Sequence, residues 1–165
     1  MKVTRQGSAV RVRLQLPEAH LLDQLLAELD GVLTPDALPP SDPVRQRLYP
    51  PAYGDDADAA AFRELTEAGL GQDRSERLEH CRAELRKARS ILRTDLVLAP
   101  EAADRWIRVL NDARLTIGTR LEISEDDDGR LDAADPDVQD RARYVWLTAL
   151  QDLLVTSLMG AAGDG

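Results

Sequence analysis

The apolar positions of this chain recur mostly every three or four residues, and only the first sixteen residues alternate. Val3 and Arg5, then Val10, Val12, Leu14 and Leu16, alternate with polar neighbours around Gly7-Ser8. Period two with a Gly-Ser break predicts a β-hairpin over residues 1–16. Two strands alone are marginal in water, so the hairpin is expected to lie on helices.

From Pro17 onward the period changes. Pro17 opens a helix at a position where its missing N–H costs nothing. Leu22, Leu25, Leu26 and Leu29 form its apolar stripe, and Gly31 is the expected stop. Asp42 caps and Pro43 opens a short second helix that Pro50 ends. A further helix is expected around 59–65, capped by Asp55 or Asp56 and closed by Gly69 and Gly71. Leu78, Cys81, Leu85, Ala88 and Leu92 predict an amphipathic helix over 73–97. Trp106, Leu110, Ala113, Ile117 and Leu121 share one face of the helix that follows Pro100, around which the rest is organised. Tyr144, Trp146, Leu147, Leu150, Leu153, Leu154 and Leu158 cover a broad arc of a last helix that starts at Asp135-Pro136. Gly118 interrupts the central helix at a cost of about 1 kcal/mol against Ala, so another element is expected to cross it closely.

The pattern therefore predicts a mainly α fold, a helical bundle of about five helices with an N-terminal β-hairpin packed on one side. One domain spans 1–160, with the hairpin at 1–16, helices at 17–159 and a flexible tail at 160–165. The 165 residues suffice for one core. Only 4% are aromatic, so that core is built from Leu, Ala, Val and Ile.

The net charge of −9 is unevenly spread. Residues 1–16 hold Lys2, Arg5, Arg11 and Arg13 and no acid, whereas 17–71 hold 11 acids and 3 bases. An acidic whole argues against general nucleic-acid affinity, which needs clustered Lys and Arg. Arg11 and Arg13 read as a solvated strand face, with an anionic ligand or partner as the functional alternative. The single cysteine, Cys81, can form no intramolecular disulfide and no thiolate metal site. It lies on an apolar stripe and reads as a small buried residue. The N-terminus has no apolar signal region, and no run reaches the roughly 20 apolar residues a membrane helix needs, so the expected compartment is the cytoplasm.

Three stretches bear on chemistry. Pro50-Pro51-Ala52-Tyr53 reads as a rigid turn presenting Tyr53 next to the paired acids Asp55 and Asp56. Asn111, Asp112, Arg114 and Arg120 stud the central helix with groups that packing does not require. Arginines grip carboxylates or phosphates in fork geometry. Either these seven residues bind a ligand or partner, or Arg114 or Arg120 pairs with Asp55, Asp56 or Asp112 to dock segment 42–67 on the central helix. The third stretch is Ser124-Glu125-Asp126-Asp127-Asp128-Gly129-Arg130-Leu131-Asp132. Its cadence is that of a calcium loop without the strong ligands at either end, so no metal is expected there.

Asp42-Pro43-x-x-x-Arg47-Leu48-x-Pro50-x-Ala52-Tyr53-x-Asp55-Asp56, continuing to Phe62-Arg63-x-Leu65-Thr66-Glu67, is one shared motif. The other is Trp106-x-x-x-Leu110-Asn111-Asp112-x-Arg114-Leu115-x-x-Gly118-Thr119-Arg120-Leu121, with Trp146-Leu147 and Leu150-Gln151 later. On these motifs the chain resembles an actinobacterial family of unknown function commonly encoded beside the N-end-rule adaptor of the Clp protease. The resemblance covers nearly the whole chain. It implies a cytoplasmic bacterial protein linked by association to regulated proteolysis, and no particular activity.

No Gly-rich phosphate loop, ligand cluster or nucleophile–base set is present in the sequence. The leading expectation is a non-enzymatic interaction or regulatory module with a protein partner, of the Clp system by association, and with no catalytic residue, cofactor or membrane. The alternative is a small anionic-ligand binder or enzyme using Tyr53, Asp55 and Asp56 with Asn111, Arg114 and Arg120. A third reading is a nucleic-acid regulator acting through the basic face of 74–93.

Overall fold

The computed structural model describes residues 1–34, 36–50, 57–124, 127 and 130–160, and of 57–68 the backbone only. Tyr53, Asp55, Asp56, the acidic residues Glu125, Asp126 and Asp128, and the tail 161–165 lie outside the described residues.

The order of elements is β1 (Lys2–Gln6), β2 (Ala9–Gln15), α1 (Leu16–Leu33), α2 (Pro43–Leu48), α3 (Ala57–Ala88), β3 (Arg93–Leu98), α4 (Pro100–Arg120) and α5 (Val138–Met159). The fold is mainly α, with five helices, as expected. The expected hairpin is two thirds of a three-stranded antiparallel sheet ordered β1-β2-β3. Its turn holds Gly7 at φ 62°, a left-handed conformation that glycine adopts freely. β3 joins from the far side of three helices, with Val10 opposite Leu98, Val12 opposite Leu96 and Leu14 opposite Thr94. All six are buried. This is the inner face of the sheet, and α1, α3, α4 and α5 contact its strands.

Several helix boundaries differ from expectation, the last helix among them, which starts at Val138 rather than at Asp135-Pro136. The helix expected over 73–97 stops at Ala88, and 93–98 is β3. Ser90 makes the turn: its N–H donates to Arg93 O at 2.9 Å and its hydroxyl to the same oxygen at 2.6 Å. Beyond it Thr94, Leu96 and Leu98 alternate, and Leu92, expected on the apolar stripe, is 80% exposed. The separate helix around 59–65 does not exist, because α3 runs unbroken through Gly69 and Gly71. Each glycine weakens a helix by about 1 kcal/mol but removes no N–H, and no proline interrupts the segment. For the same reason α1 passes Gly31 and ends at Leu33.

The caps follow the sequence. Asp42 accepts from the N–H groups of Val44 (2.8 Å) and Arg45 (3.3 Å), and Pro43 takes the first helical position. At α1 the carboxylate of Glu18 accepts from Gln15 N–H at 2.8 Å. Helix α4 lies at the centre: Ala103, Trp106, Val109, Leu110, Ala113 and Ile117 are buried on it. Leu22, Leu25, Leu26 and Leu29 of α1, Leu78, Cys81 and Leu85 of α3, and Leu147, Leu150 and Leu154 of α5 complete one core.

Candidate functional site

The central helix carries a buried charge. Asp112 is 4% exposed, and an unpaired carboxylate there would be strongly disfavoured. Its partner is Arg74 of α3, whose Nη1 donates to Asp112 Oδ1. Arg74 Nη2 donates to Leu48 O at 2.9 Å, a carbonyl at the end of α2 with no onward helical partner. The same guanidinium lies 5.5 Å from the Tyr49 ring centroid. One side chain therefore fastens α2, α3 and α4 together. The expected pairing of Asp112 with Arg114 or Arg120 is thus corrected to Arg74, which the packing of α3 on α4 brings onto the carboxylate. The alternatives through Asp55 and Asp56 lie outside the described residues.

The other polar residues of α4 face elsewhere. Arg114 Nη2 donates to Asn111 Oδ1 at 3.4 Å, one turn back on the same face. Arg120 is exposed at the helix end. The structure thus brings Asn111 and Arg114 together, holds Asp112 in the interior and leaves Arg120 at the surface.

A second knot joins α3 to α4. Glu84 accepts from Trp106 Nε1 and from Arg105 Nη2, both at 2.7 Å. It satisfies the indole N–H of the largest core side chain and fixes its orientation. Cys81, fully buried one turn earlier on α3, has its thiol pushed up to about 12, first by burial and then by the charge of Glu84. A nucleophilic cysteine needs the opposite surroundings.

The basic face of 74–93 is largely engaged within the chain. Arg82 of α3 meets Asp30 at 2.5 Å and Arg89, just past the end of α3, meets Asp23 at 3.0 Å, both on α1. Arg86 pairs with Glu79 at 3.0 Å, and Arg77 lies 3.7 Å from Asp73. In the acidic region Arg141 bonds Asp127 at 2.8 Å and Asp135 at 2.6 Å, beside a shallow depression lined by Ile123, Leu131 and Tyr144. Among the described residues no three metal-ligating side chains cluster.

The outer face of the sheet is a further charged surface. Arg11 forks onto Asp95 at 2.7 and 2.8 Å, and Arg13 Nε lies 3.5 Å from the same carboxylate. These contacts, the Arg11 hydrogen bond foremost, hold Asp95 below the usual carboxylate range.

Arg74, Glu84 and Asp95 escaped the sequence reading. The first was legible: Arg74, Leu78, Cys81 and Leu85 continue one spacing of four and three, which places Arg74 at the end of the buried stripe. Glu84 and Asp95 acquire their partners only through tertiary contacts.

The geometry defines a mainly α domain with a small sheet, in which many charged side chains fasten one element to another. The chain belongs to the family described as Domain of unknown function (DUF2017), whose profile matches residues 1–158. It is similar to the "Oxidative stress regulator AosR" of Mycobacterium tuberculosis and of Mycobacterium bovis, each 31% identical over 187 residues, covering 96% of this chain and 86% of the relative. A "Putative oxidative stress regulator AosR" of Mycobacterium leprae is 32% identical over 148 residues, covering 84% of this chain and 68% of that protein. No solved structure matches significantly. No described helix is long and apolar enough to cross a membrane.

Proposed function

We propose that this protein is a cytoplasmic regulatory module that acts by binding another protein, as a non-catalytic partner. The observation that carries the reading is its similarity, over 96% of its length, to proteins named as regulators. Asn111, Arg114 and Arg120 on α4, with Tyr53, Asp55 and Asp56, are the contact residues of this reading. Asp112 belongs to the interior of the same helix. The finer form of the proposal places the partner in Clp-type regulated proteolysis, a link supported by the motif resemblance around 42–67 and 106–121.

The name of the relatives concerns oxidative stress. In this chain the one cysteine is buried with a raised thiol pKa, so the proposal assigns oxidant sensing to a partner rather than to Cys81. The test is affinity capture from native cytoplasm with the intact protein and Arg114→Ala, read by mass spectrometry. Arg114 makes one long side-chain bond, so the variant is expected to fold with a stability loss under about 1 kcal/mol while losing its partner. Capture of the same partners by both proteins would overturn the contact assignment. Turnover of a metabolite by the purified chain would overturn the non-catalytic reading.

A further inference from the structure

The inner face of the three-stranded sheet is buried by helices, and its outer face carries exposed and half-exposed side chains. Along the ladder, Lys2 lies opposite Arg13, Arg13 opposite Asp95, Arg11 opposite Val97 and Gln15 opposite Arg93. Directly opposed residues point to the same side of an antiparallel sheet. Among the described residues, Lys2, Arg11, Arg13 and Arg93 therefore share one surface with a single acid, Asp95. Four cations against one carboxylate leave this face at +3, on a chain whose net charge is −9. On β3 the face also carries Val97, 57% exposed, and the strand is entered through the adjacent pair Ile91 and Leu92, 91% and 80% exposed. Adjoining exposed apolar side chains of this size are a feature of contact surfaces.

We infer that this outer sheet face docks an acidic, apolar-containing segment of a partner protein. The inference rests on the reading that the chain works through protein contact, and it names the chemistry of the contact. Charge complementarity selects the occupant. Carboxylates of such a segment would meet Arg13, Arg93 and Lys2, while Arg11 stays forked on Asp95 and keeps the surface flat. Apolar residues between those carboxylates would cover Val97, Leu92 and Ile91. Nucleic acid fits less well, because the described residues of the face include no aromatic ring for bases to stack on and phosphates would leave Ile91 and Leu92 uncovered. An anionic membrane would repel the remaining surface of so acidic a chain.

The experiment titrates the isotopically labelled full chain with a synthetic peptide in which Glu alternates with Leu and Val. Parallel titrations use the same peptide with Lys for Glu, a DNA duplex, and vesicles containing anionic lipid. The acidic peptide is expected to shift the amides of β2, β3 and the 90–93 turn. Binding is expected to weaken roughly tenfold or more in Arg13→Glu/Arg93→Glu and in Ile91→Ser/Leu92→Ser, equivalent to about 1.4 kcal/mol or more. Both variants change exposed or half-exposed positions, and unaltered melting temperatures confirm their folding. The inference is overturned by equal binding of the Lys peptide, by shifts on the helical surface alone, or by equal affinity in Arg13→Glu/Arg93→Glu. Tighter binding of DNA or vesicles, or self-association that these substitutions abolish, overturns it in favour of that occupant. Failure of the peptide together with an Arg114-dependent captured partner removes this surface and leaves the regulatory reading standing.

Discussion

A Cβ built on Gly118 would lie 2.9 Å from Cε2 of Tyr144, so α4 and α5 cross where only a hydrogen atom fits. The close crossing expected from the sequence is a ring resting on the helix backbone. Replacing Gly118 with Ala gains about 1 kcal/mol of helix propensity and loses roughly 1–3 kcal/mol to overpacking. Gly118→Ala is therefore expected to be neutral to mildly destabilising and Gly118→Leu severely destabilising. In a Tyr144→Leu background the ring contact is gone, and Gly118→Ala should become stabilising. Urea denaturation of the four proteins in this double-mutant cycle measures the coupling. Additive effects would show that the ring moves aside freely.

Arg74 and Asp112 form a pair whose side chains are 18% and 6% exposed. Breaking such a pair from one side leaves a charge buried alone, at about 3–5 kcal/mol. Arg74→Ala and Asp112→Ala are each expected to lose that much in chemical denaturation. The double variant should lose clearly less than their sum. Hydrogen exchange should quicken in α2 for Arg74→Ala, because Leu48 O loses its guanidinium donor and the Tyr49 ring one of its contacts. A loss below 1 kcal/mol in either single variant would mark the pair as ornamental.

Acid should weaken the sheet. Asp95 has a folded-state pKa below its unfolded value, near 3.9 for a free Asp side chain. It therefore contributes stability at all pH above that value, and the contribution disappears as pH falls through the lower folded-state value. The stability difference between the wild type and Asp95→Asn is expected to be constant from pH 7 down to about 5 and to shrink below about pH 4. Denaturant titrations across this range provide the check; a difference that grows on acidification contradicts the assignment.

Cys81 should be silent in the native state. Its thiol is raised to about 12 and its side chain is fully buried, so at pH 8 almost none is thiolate. Ellman's reagent is expected to label it only as fast as the protein opens, and at once in denaturant. Cys81→Ala should retain whatever response to peroxide the protein gives in cells. Rapid native labelling, or a lost peroxide response, would return the thiol to the mechanism.

The chain shows which features a sequence announces. Trp106, Leu110, Ala113 and Ile117 fall on the central stripe because one helix repeats one spacing, and Asp42-Pro43 announces its helix by local chemistry alone. β3 was hidden because Leu92 extended a helical spacing that Ser90 had already ended, while the alternation of Thr94, Leu96 and Leu98 is only five residues long. The polar site was less legible. Asn111 and Arg114 meet because they are one turn apart, whereas Arg74 meets Asp112 across 38 positions of sequence through helix packing. Spacing along one element is written locally, and the partner of a buried charge is not.

The sheet also imposes an order on synthesis. Its central strand borders β1 through a tight turn, but its other neighbour lies 84 residues ahead, the distance from Arg11 to Asp95. A ribosome adding about 5–20 residues per second emits that interval in roughly 4–17 s. Throughout it β2 has only β1 beside it, and α1, which packs on β2, is the first helix able to cover Val10, Val12 and Leu14. A nascent chain halted before Arg93 would present an uncompleted sheet, with one edge of β2 unpaired, to chaperones and proteases. Only a polypeptide translated through Leu98 can pair both edges of that strand.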